Sequence, residues 1–196
     1  MSSNAFQNTM VVLIGFAGTG KYTIGRELCR RTGAKLIDNH LINNPIFKVV
    51  NADGVTRLPA GVWDRVMDIR RNVYQAIREL SPPELSFVFT MELRQSNPGD
   101  HRAFVDVQEL AASRKSLFVP VRLICEVEEL CRRVVEPSRV EMLKELSPEL
   151  TRKKSAEDSV LNNEHPNLRT IDVTSRSPEE SADAILYEIT TLSRTN

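Results

Sequence analysis

Apolar and polar residues come in blocks along the chain, and the period inside each block predicts its element. Residues 9–14, TMVVLI, are a continuous apolar run of β-branched character, as expected of a strand buried on both faces. The period then lengthens: Ile24 and Leu28 share a face over 21–31, predicting a helix that Gly33 stops. AKLID (34–38) is a second short strand. Residues 41–50 look helical but carry Pro45, so a short or bent piece is expected. The turn formers NADG and LPAG mark a loop between 51 and 61. The clearest helix is 62–80, where Val62, Val66, Ile69, Val73, Ile77 and Leu80 make one apolar stripe.

SPPE breaks that helix, and LSFVFT (85–90) is a third strand. NPGD opens a helix over about 101–114, with Phe104, Val107, Leu110 and Ala111 inward. SLFVPVRLIC (116–125) is the fourth strand, with Pro120 marking an irregular start. Residues 128–135 read as helix, broken by EPSR, and the polar stretch 139–163 as two short helices split at Ser147 and Pro148. LRTIDVT (168–174) is the last strand. The helix after it opens with Ser177 as N-cap, proline at N1 and acids in the first turn. Strands and helices alternate throughout, without repeats or low-complexity tracts, which is the pattern of an α/β fold whose parallel sheet is covered on both faces.

Composition narrows the classes. A chain of 196 residues, 41% hydrophobic and 27% charged, fits one domain over residues 1–196 with a full core. Lys plus Arg and Asp plus Glu each number 26, and this zero balance argues against nucleic-acid and membrane-surface partners. No apolar run is long enough to span a bilayer, and the N-terminus lacks the basic start of a signal peptide. Cys29, Cys125 and Cys131 are an odd set without a C-x-x-C pair, expected as reduced thiols in a cytoplasmic protein. His40, His101 and His165 make no metal-ligand pattern with them; surface or capping roles are expected for at least two.

Chemistry concentrates between the first strand and the first helix. Gly15, Phe16, Ala17, Gly18, Thr19, Gly20 and Lys21 match G-x-x-x-x-G-K. Glycines let the backbone wrap phosphate oxygens, the helix start adds its positive dipole end, and the lysine reaches the outer phosphates. The strict pattern puts Ser or Thr straight after the lysine for Mg²⁺; here Tyr22 holds that place and Thr23 follows.

GTGKYT resembles the loop of adenylate kinase and related nucleotide kinases, which also place threonine second after the lysine. The resemblance implies a working loop with a variant metal shell. The stretch from Gly15 to His40, the EELCRRVVEPSR segment and the ending TIDVTSRSPEESADAI are similar to shikimate kinase-type small-molecule kinases. The closest likeness is to chloramphenicol phosphotransferase-like P-loop proteins. That family implies a three-layer P-loop NTPase fold with a five-stranded parallel sheet in the order 2-3-1-4-5.

By the same resemblance, Asp38 serves Mg²⁺ through water; its alternative reading is the N-cap of the following helix. His40 stands where shikimate kinase has its second acid, which argues against shikimate itself. It reads either as a proton acceptor at the substrate or as an orienting residue. Arg133 matches the arginine that lies against the adenine, with Arg132 able to exchange roles, and Arg139 matches the lid arginine over the transferring phosphate. Arg176, between Ser175 and Ser177, borders the base. Solvated surface roles stand beside these arginine assignments.

Strand three ends without the Asp of many ATPases; Thr90 or Glu92 could contact water or substrate, or be a plain strand end. TRKK (151–154) reads as a solvated face and Trp63 as a packing residue. The acceptor is expected between Asp38, His40 and the 62–80 helix, with Asn43, Asn44, Arg70 and Arg71 as candidate contacts.

These readings predict an ATP- and Mg²⁺-dependent phosphotransferase acting on a small hydroxylated molecule. Residues 39–80 would hold the acceptor and 136–163 form a lid, in a monomer or homodimer. Gly15, Ala17, Gly18, Thr19, Gly20, Lys21, Tyr22 and Thr23 would hold the nucleotide with Arg133 and Arg176. Thr23 and Asp38 would serve the metal, and Lys21, Asp38, His40 and Arg139 the transfer. The alternatives are a regulatory nucleotide-binding protein with little catalysis and a kinase of nucleosides or nucleic-acid ends.

Overall fold

All six residues of the first strand, β1 (Thr9–Ile14), are buried, as its apolar run requires of a central strand. The computed structural model describes residues 6–53, 56–136 and 146–195, without the side chains of 194 and 195. β1 is followed by α1 (Lys21–Thr32), β2 (Lys35–Asp38), α2 (Asn39–Val49), α3 (Val62–Glu79) and β3 (Phe87–Met91). Then come α4 (Pro98–Ser113), β4 (Leu117–Ile124), α5 (Val127–Val134), α6 (Pro148–Glu157), β5 (Arg169–Asp172) and α7 (Pro178–Thr195). The strands form one parallel sheet in the order β2-β3-β1-β4-β5, as expected.

The period of two along β1 divides the core. Met10, Val12 and Ile14 pack with Tyr74 and Ile77 of α3 and Phe104, Val107 and Leu110 of α4. Val11 and Leu13 pack with Ile24 and Leu28 of α1 and Ile185 and Ile189 of α7. A third cluster, Ile42, Phe47, Val62 and Val66, joins α2 to α3 beside one end of the sheet.

The helix ends follow local chemistry. Gly33 caps α1 in the left-handed conformation, φ 77°. Ser177 and Glu180 form a reciprocal capping box at α7. α4 starts at Pro98, not 101, because the Asn97 side chain accepts from the Gly99 amide and caps it there, taking NPGD into the helix. α2 likewise begins at Asn39, capped by Asp38, and keeps Pro45 inside an eleven-residue helix.

Two further expectations need correction. The α3 stripe turns: Val62, Val66, Arg70, Tyr74 and Ile77 are buried, while Leu80 is 80% exposed. The 62-66-70-74 spacing of four drifts around the helix as its partners change from α2 to β3, where the Tyr74 ring meets Phe89 edge-on at 5.9 Å. Pro120 lies inside β4, not at its start. The Phe118 carbonyl two residues earlier accepts from the Asn167 side chain, so Pro120 faces the same side. β5 pairing begins only at Val121, so the missing N–H costs no ladder bond there.

Arg114, at the end of α4, ties down the turn before β3. Its guanidinium donates to the carbonyls of Ile77 (2.6 Å) and Pro82 (2.7 Å) and to the Ser81 hydroxyl (2.8 Å), and lies over the Phe87 ring. We expect Arg114→Ala to destabilise the fold by about 1.5–3 kcal/mol, the scale of hydrogen bonds from a charged group, measured by urea unfolding. An unchanged midpoint would contradict this role.

Candidate functional site

The loop between β1 and α1 is anchored where the Gly15 amide donates to the Met91 carbonyl (3.2 Å) and the buried Thr19 hydroxyl to the Phe16 carbonyl (2.9 Å). Gly18 (φ 88°) and Gly20 (φ 80°) hold left-handed conformations that side chains rarely adopt, and a Cβ on Gly18 would stand 3.0 Å from the Leu130 carbonyl oxygen. Gly20 gives α1 no side-chain cap, and the first turn carries no acid. The positive end of the helix is therefore left to the loop. Lys21 Nζ folds over the same loop and donates to the carbonyls of Gly15 and Phe16, both at 2.8 Å. The Tyr22 ring lies beneath the Arg26 guanidinium, and the exposed Thr23 hydroxyl donates to the Gly20 carbonyl (2.8 Å).

This loop forms the floor of a groove of about 1190 Å³, lined by Ala17 through Ile24. Arg132, Arg133 and Arg176 line the groove on the side of α5 and α7, and Asn43, Phe47, Trp63 and Arg70 on the side of α2 and α3; Asp38, His40 and Glu92 also line it. The buried Asp38 carboxylate accepts from the Thr90 hydroxyl and the His40 amide, so it caps α2 and lines the groove at once. Thr90 Oγ1 also accepts from the Asn39 amide (3.1 Å), locking strand end to helix start. His40 Nδ1 lies 3.4 Å from Asn44 Oδ1, which orients the ring.

Arg133 is held on three sides. It donates to Glu129 Oε1 (2.6 Å) and to the carbonyls of Val173 (3.0 Å) and Thr174 (2.9 Å), which sets its plane beside the turn after β5. Hydrogen bonds from Arg132 and Arg133 outweigh partial desolvation and hold the Glu129 carboxyl at about 2. Arg132 shares Glu129 but is 65% exposed, without the two carbonyl anchors. Arg176 donates to the Asp172 carbonyl (3.1 Å) at the groove edge. Arg139 lies outside the described residues.

Tertiary packing separates the remaining candidates. Asn43 and Arg70 line the groove; Arg71 pairs with Asp68 on the outer face of α3, and Asn44 serves His40. Lys154, expected on a solvated face, donates to Glu92 Oε1 (3.0 Å) and lines the groove. It arrives there because the chain beyond α6 pairs antiparallel with the end of β3: Leu161 donates to Leu93 and Gln95 to Ser159, both at 2.9 Å. No local pattern announced Lys154. Glu92 had a positional signal, since the carboxyl ends of strands in parallel sheets are where ligands sit. Burial alone would raise the Glu92 carboxyl, but Lys154, Lys21 and Arg94 outweigh it and hold it below the ordinary carboxylate range.

Among the described residues no three His, Cys, Asp or Glu side chains cluster as a self-sufficient metal site. The donors present, Thr23, Asp38 and Glu92, are hard oxygens. They suit Mg²⁺, which takes one or two carboxylates and completes its shell with waters and substrate phosphates.

No protein-family model matches the chain, and no curated protein matches its sequence. Solved structures do. A gluconokinase from Sinorhizobium meliloti superposes with a TM-score of 0.65 at 13% identity, covering 96% of this chain and 95% of that one. A shikimate kinase from Aquifex aeolicus gives 0.53 at 15%, covering 96% and 100%. A thymidylate kinase from Candida albicans gives 0.57 at 12%, covering 97% and 94%. At such identities the likeness is one of fold, shared with these three kinases. Among the described residues no helix is long and apolar enough to cross a membrane.

The Glu92–Lys154 pair makes a pH prediction. A depressed carboxyl contributes stability that is present above its unfolded pKa and is lost as pH falls through its folded one. Wild type should melt above Glu92→Gln at neutral pH, with the gap closing as acid carries the protein through and below the carboxylate range. The same difference in Tm at every pH would contradict the pair.

Proposed function

We propose that the chain is an ATP-dependent phosphotransferase that moves the γ-phosphate to a hydroxyl of a small molecule. The observation that carries this reading is the uncapped start of α1, with the Lys21 ammonium beside it, forming the floor of a groove wide enough for two reactants. Pockets for one ligand reach about 1,000 Å³. On this reading the nucleotide lies from the loop toward Arg133 and Arg176, the acceptor lies toward α2 and α3, and Lys21 stands between them.

Lys21 exchanges the carbonyls of Gly15 and Phe16 for phosphate oxygens, while the amides of Gly18 to Thr23 surround the phosphate chain. The guanidinium of Arg133, fixed by Glu129 and two carbonyls, offers a flat face to the base. Thr23 and Asp38, with Glu92, would hold Mg²⁺, which when bound neutralises charge on the phosphate oxygens. Asp38 or His40 orients the acceptor hydroxyl and takes its proton; the His40 ring, aligned by Asn44, faces the groove from the acceptor end. Residues 39–80 serve as the acceptor region; the lid expected over 136–163, with Arg139, falls in part outside the described residues. Transfer of this kind rests on positioning and charge stabilisation.

A phosphorylation assay with labelled ATP and a pooled metabolite extract tests the reading. Wild type should label a soluble acceptor, and Lys21→Ala should lose at least about a hundredfold in rate with its circular dichroism unchanged. Equal labelling by the two proteins would overturn the assignment. Tight nucleotide binding without any labelled acceptor would favour a regulatory protein instead.

A further inference from the structure

We propose that Asn43 selects the acceptor. Its carboxamide oxygen takes a hydrogen bond from a second, neutral O–H or N–H group of that molecule, one helical turn away from the hydroxyl that is phosphorylated. This deepens the phosphotransferase reading and rests on it.

α2 carries three asparagines, and the fold treats them differently. Asn39 Oδ1 accepts from Arg70 Nη2 at 2.7 Å, and Asn44 Oδ1 stands 3.4 Å from His40 Nδ1. Asn43 lines the groove and is only 3% exposed, yet its Oδ1 is buried without a hydrogen-bond partner. A carboxamide oxygen has two lone pairs to satisfy, and leaving it dry and unpaired costs stability. The buried residues around this part of α2, Ile42 and Phe47 with Val62 and Val66 of α3, are apolar, so packing alone asks for another apolar side chain. A donor arriving from solution accounts for an amide kept in this state.

The position of Asn43 on the helix says which part of the molecule it meets. Asn39, Asn43 and Phe47 recur every four residues, so they share one face of α2, and all three line the groove. His40 precedes Asn43 by three residues, a spacing that sets side chains about 5–6 Å apart at Cβ. A molecule whose hydroxyl is oriented by Asp38 or His40 therefore presents its next polar group to Asn43. What lies beyond reaches Phe47 and Trp63, which meet edge to face at 5.7 Å as an apolar wall. An oxygen acceptor has no use for a carboxylate or a phosphate at this point and calls for a donor, which a hydroxyl or an amide N–H supplies. A site built around such a bond rejects the analogue that lacks the donor, because the buried oxygen then stays unpaired.

Trp63 is the single tryptophan and lines the groove, so its fluorescence reports the acceptor end directly. The full chain is first saturated with a non-hydrolysable ATP analogue and Mg²⁺, which fills the phosphate loop. It is then titrated with glucose, gluconate and their monodeoxy counterparts, with uridine and 3-methyluridine, and with cyclohexylmethanol, which has one hydroxyl and no second donor. We expect saturable binding of at least one parent compound and a Kd at least about tenfold higher for its counterpart without the second donor. The pair that responds distinguishes O–H from N–H. In Asn43→Leu the parent should bind as weakly as its counterpart, the two differing by less than about twofold, with analogue affinity retained. Asn43→Leu should also melt at or above wild type, because the fold loses no hydrogen bond and sheds an unpaired polar atom. Asn43→Ala carries the ligand comparison if the leucine variant does not fold. Discrimination that survives in the variant, cyclohexylmethanol bound as tightly as the parents, no response to any compound, or melting well below wild type in both variants would overturn the proposal. Failure of the ATP analogue to bind wild type would instead count against the phosphotransferase reading; titration without analogue then still tests Asn43.

Discussion

A helix that starts without a side-chain cap and without an acid, beside a lysine folded over the same loop, is the constraint on which the rest of the structure depends. The positive end of α1 has to be aimed and held still before it can serve any phosphate. β1 supplies the aim by lying at the centre of the sheet, buried at every position. Gly18 and Gly20 allow the reversal between strand and helix. Gly25 lets α1 lie close on the sheet, since a Cβ there would come within 2.8 Å of the Leu36 side chain. Thr19 and the Gly15 amide then pin the loop from inside.

From that fixed point the groove divides by chemistry. On one side Arg133 is held by Glu129 and two carbonyls, which suits a residue that presents a flat face. On the other side Arg70 and Asn43 hold unmet hydrogen-bonding capacity in a dry setting, which suits residues that meet a ligand. The centre is polar and mutually braced: Asp38 by Thr90 and the α2 amide, Glu92 by Lys154. The last pair, with Arg152 to Glu128, ties α6 both to the end of β3 and to α5. Any movement of α6 therefore bears on the charge beside Lys21.

What could be read from the sequence was what local chemistry decides. The glycine-lysine loop, the Gly33 stop, the Ser177 N-cap and the buried run of β1 each depend on neighbours a few residues away. The sheet order came through a family resemblance, and the observed sheet has it; the narrower likeness to chloramphenicol phosphotransferase-like proteins rests on the sequence alone. What packing decides was not legible. Arg70 and Arg71 are adjacent and equally charged, and only the phase of α3 against α2 turns one into the groove and the other to solvent. Lys154 reads as one more basic residue in TRKK until the 159–162 segment pairs with the end of β3 and delivers it to Glu92. Leu80 continues the apolar stripe in sequence, but it caps a helix whose partners have ended.

The central claim, that the amides around Gly20 and the Lys21 ammonium together receive polyphosphate, is tested most directly by a crystal structure with a non-hydrolysable ATP analogue and Mg²⁺. The β- and γ-phosphate oxygens should lie within hydrogen-bond distance of the amides of Gly18 to Thr23, with Lys21 Nζ transferred to them from the carbonyls of Gly15 and Phe16. A polyphosphate bound elsewhere, or a lysine still held by those carbonyls beneath a filled site, would contradict the account.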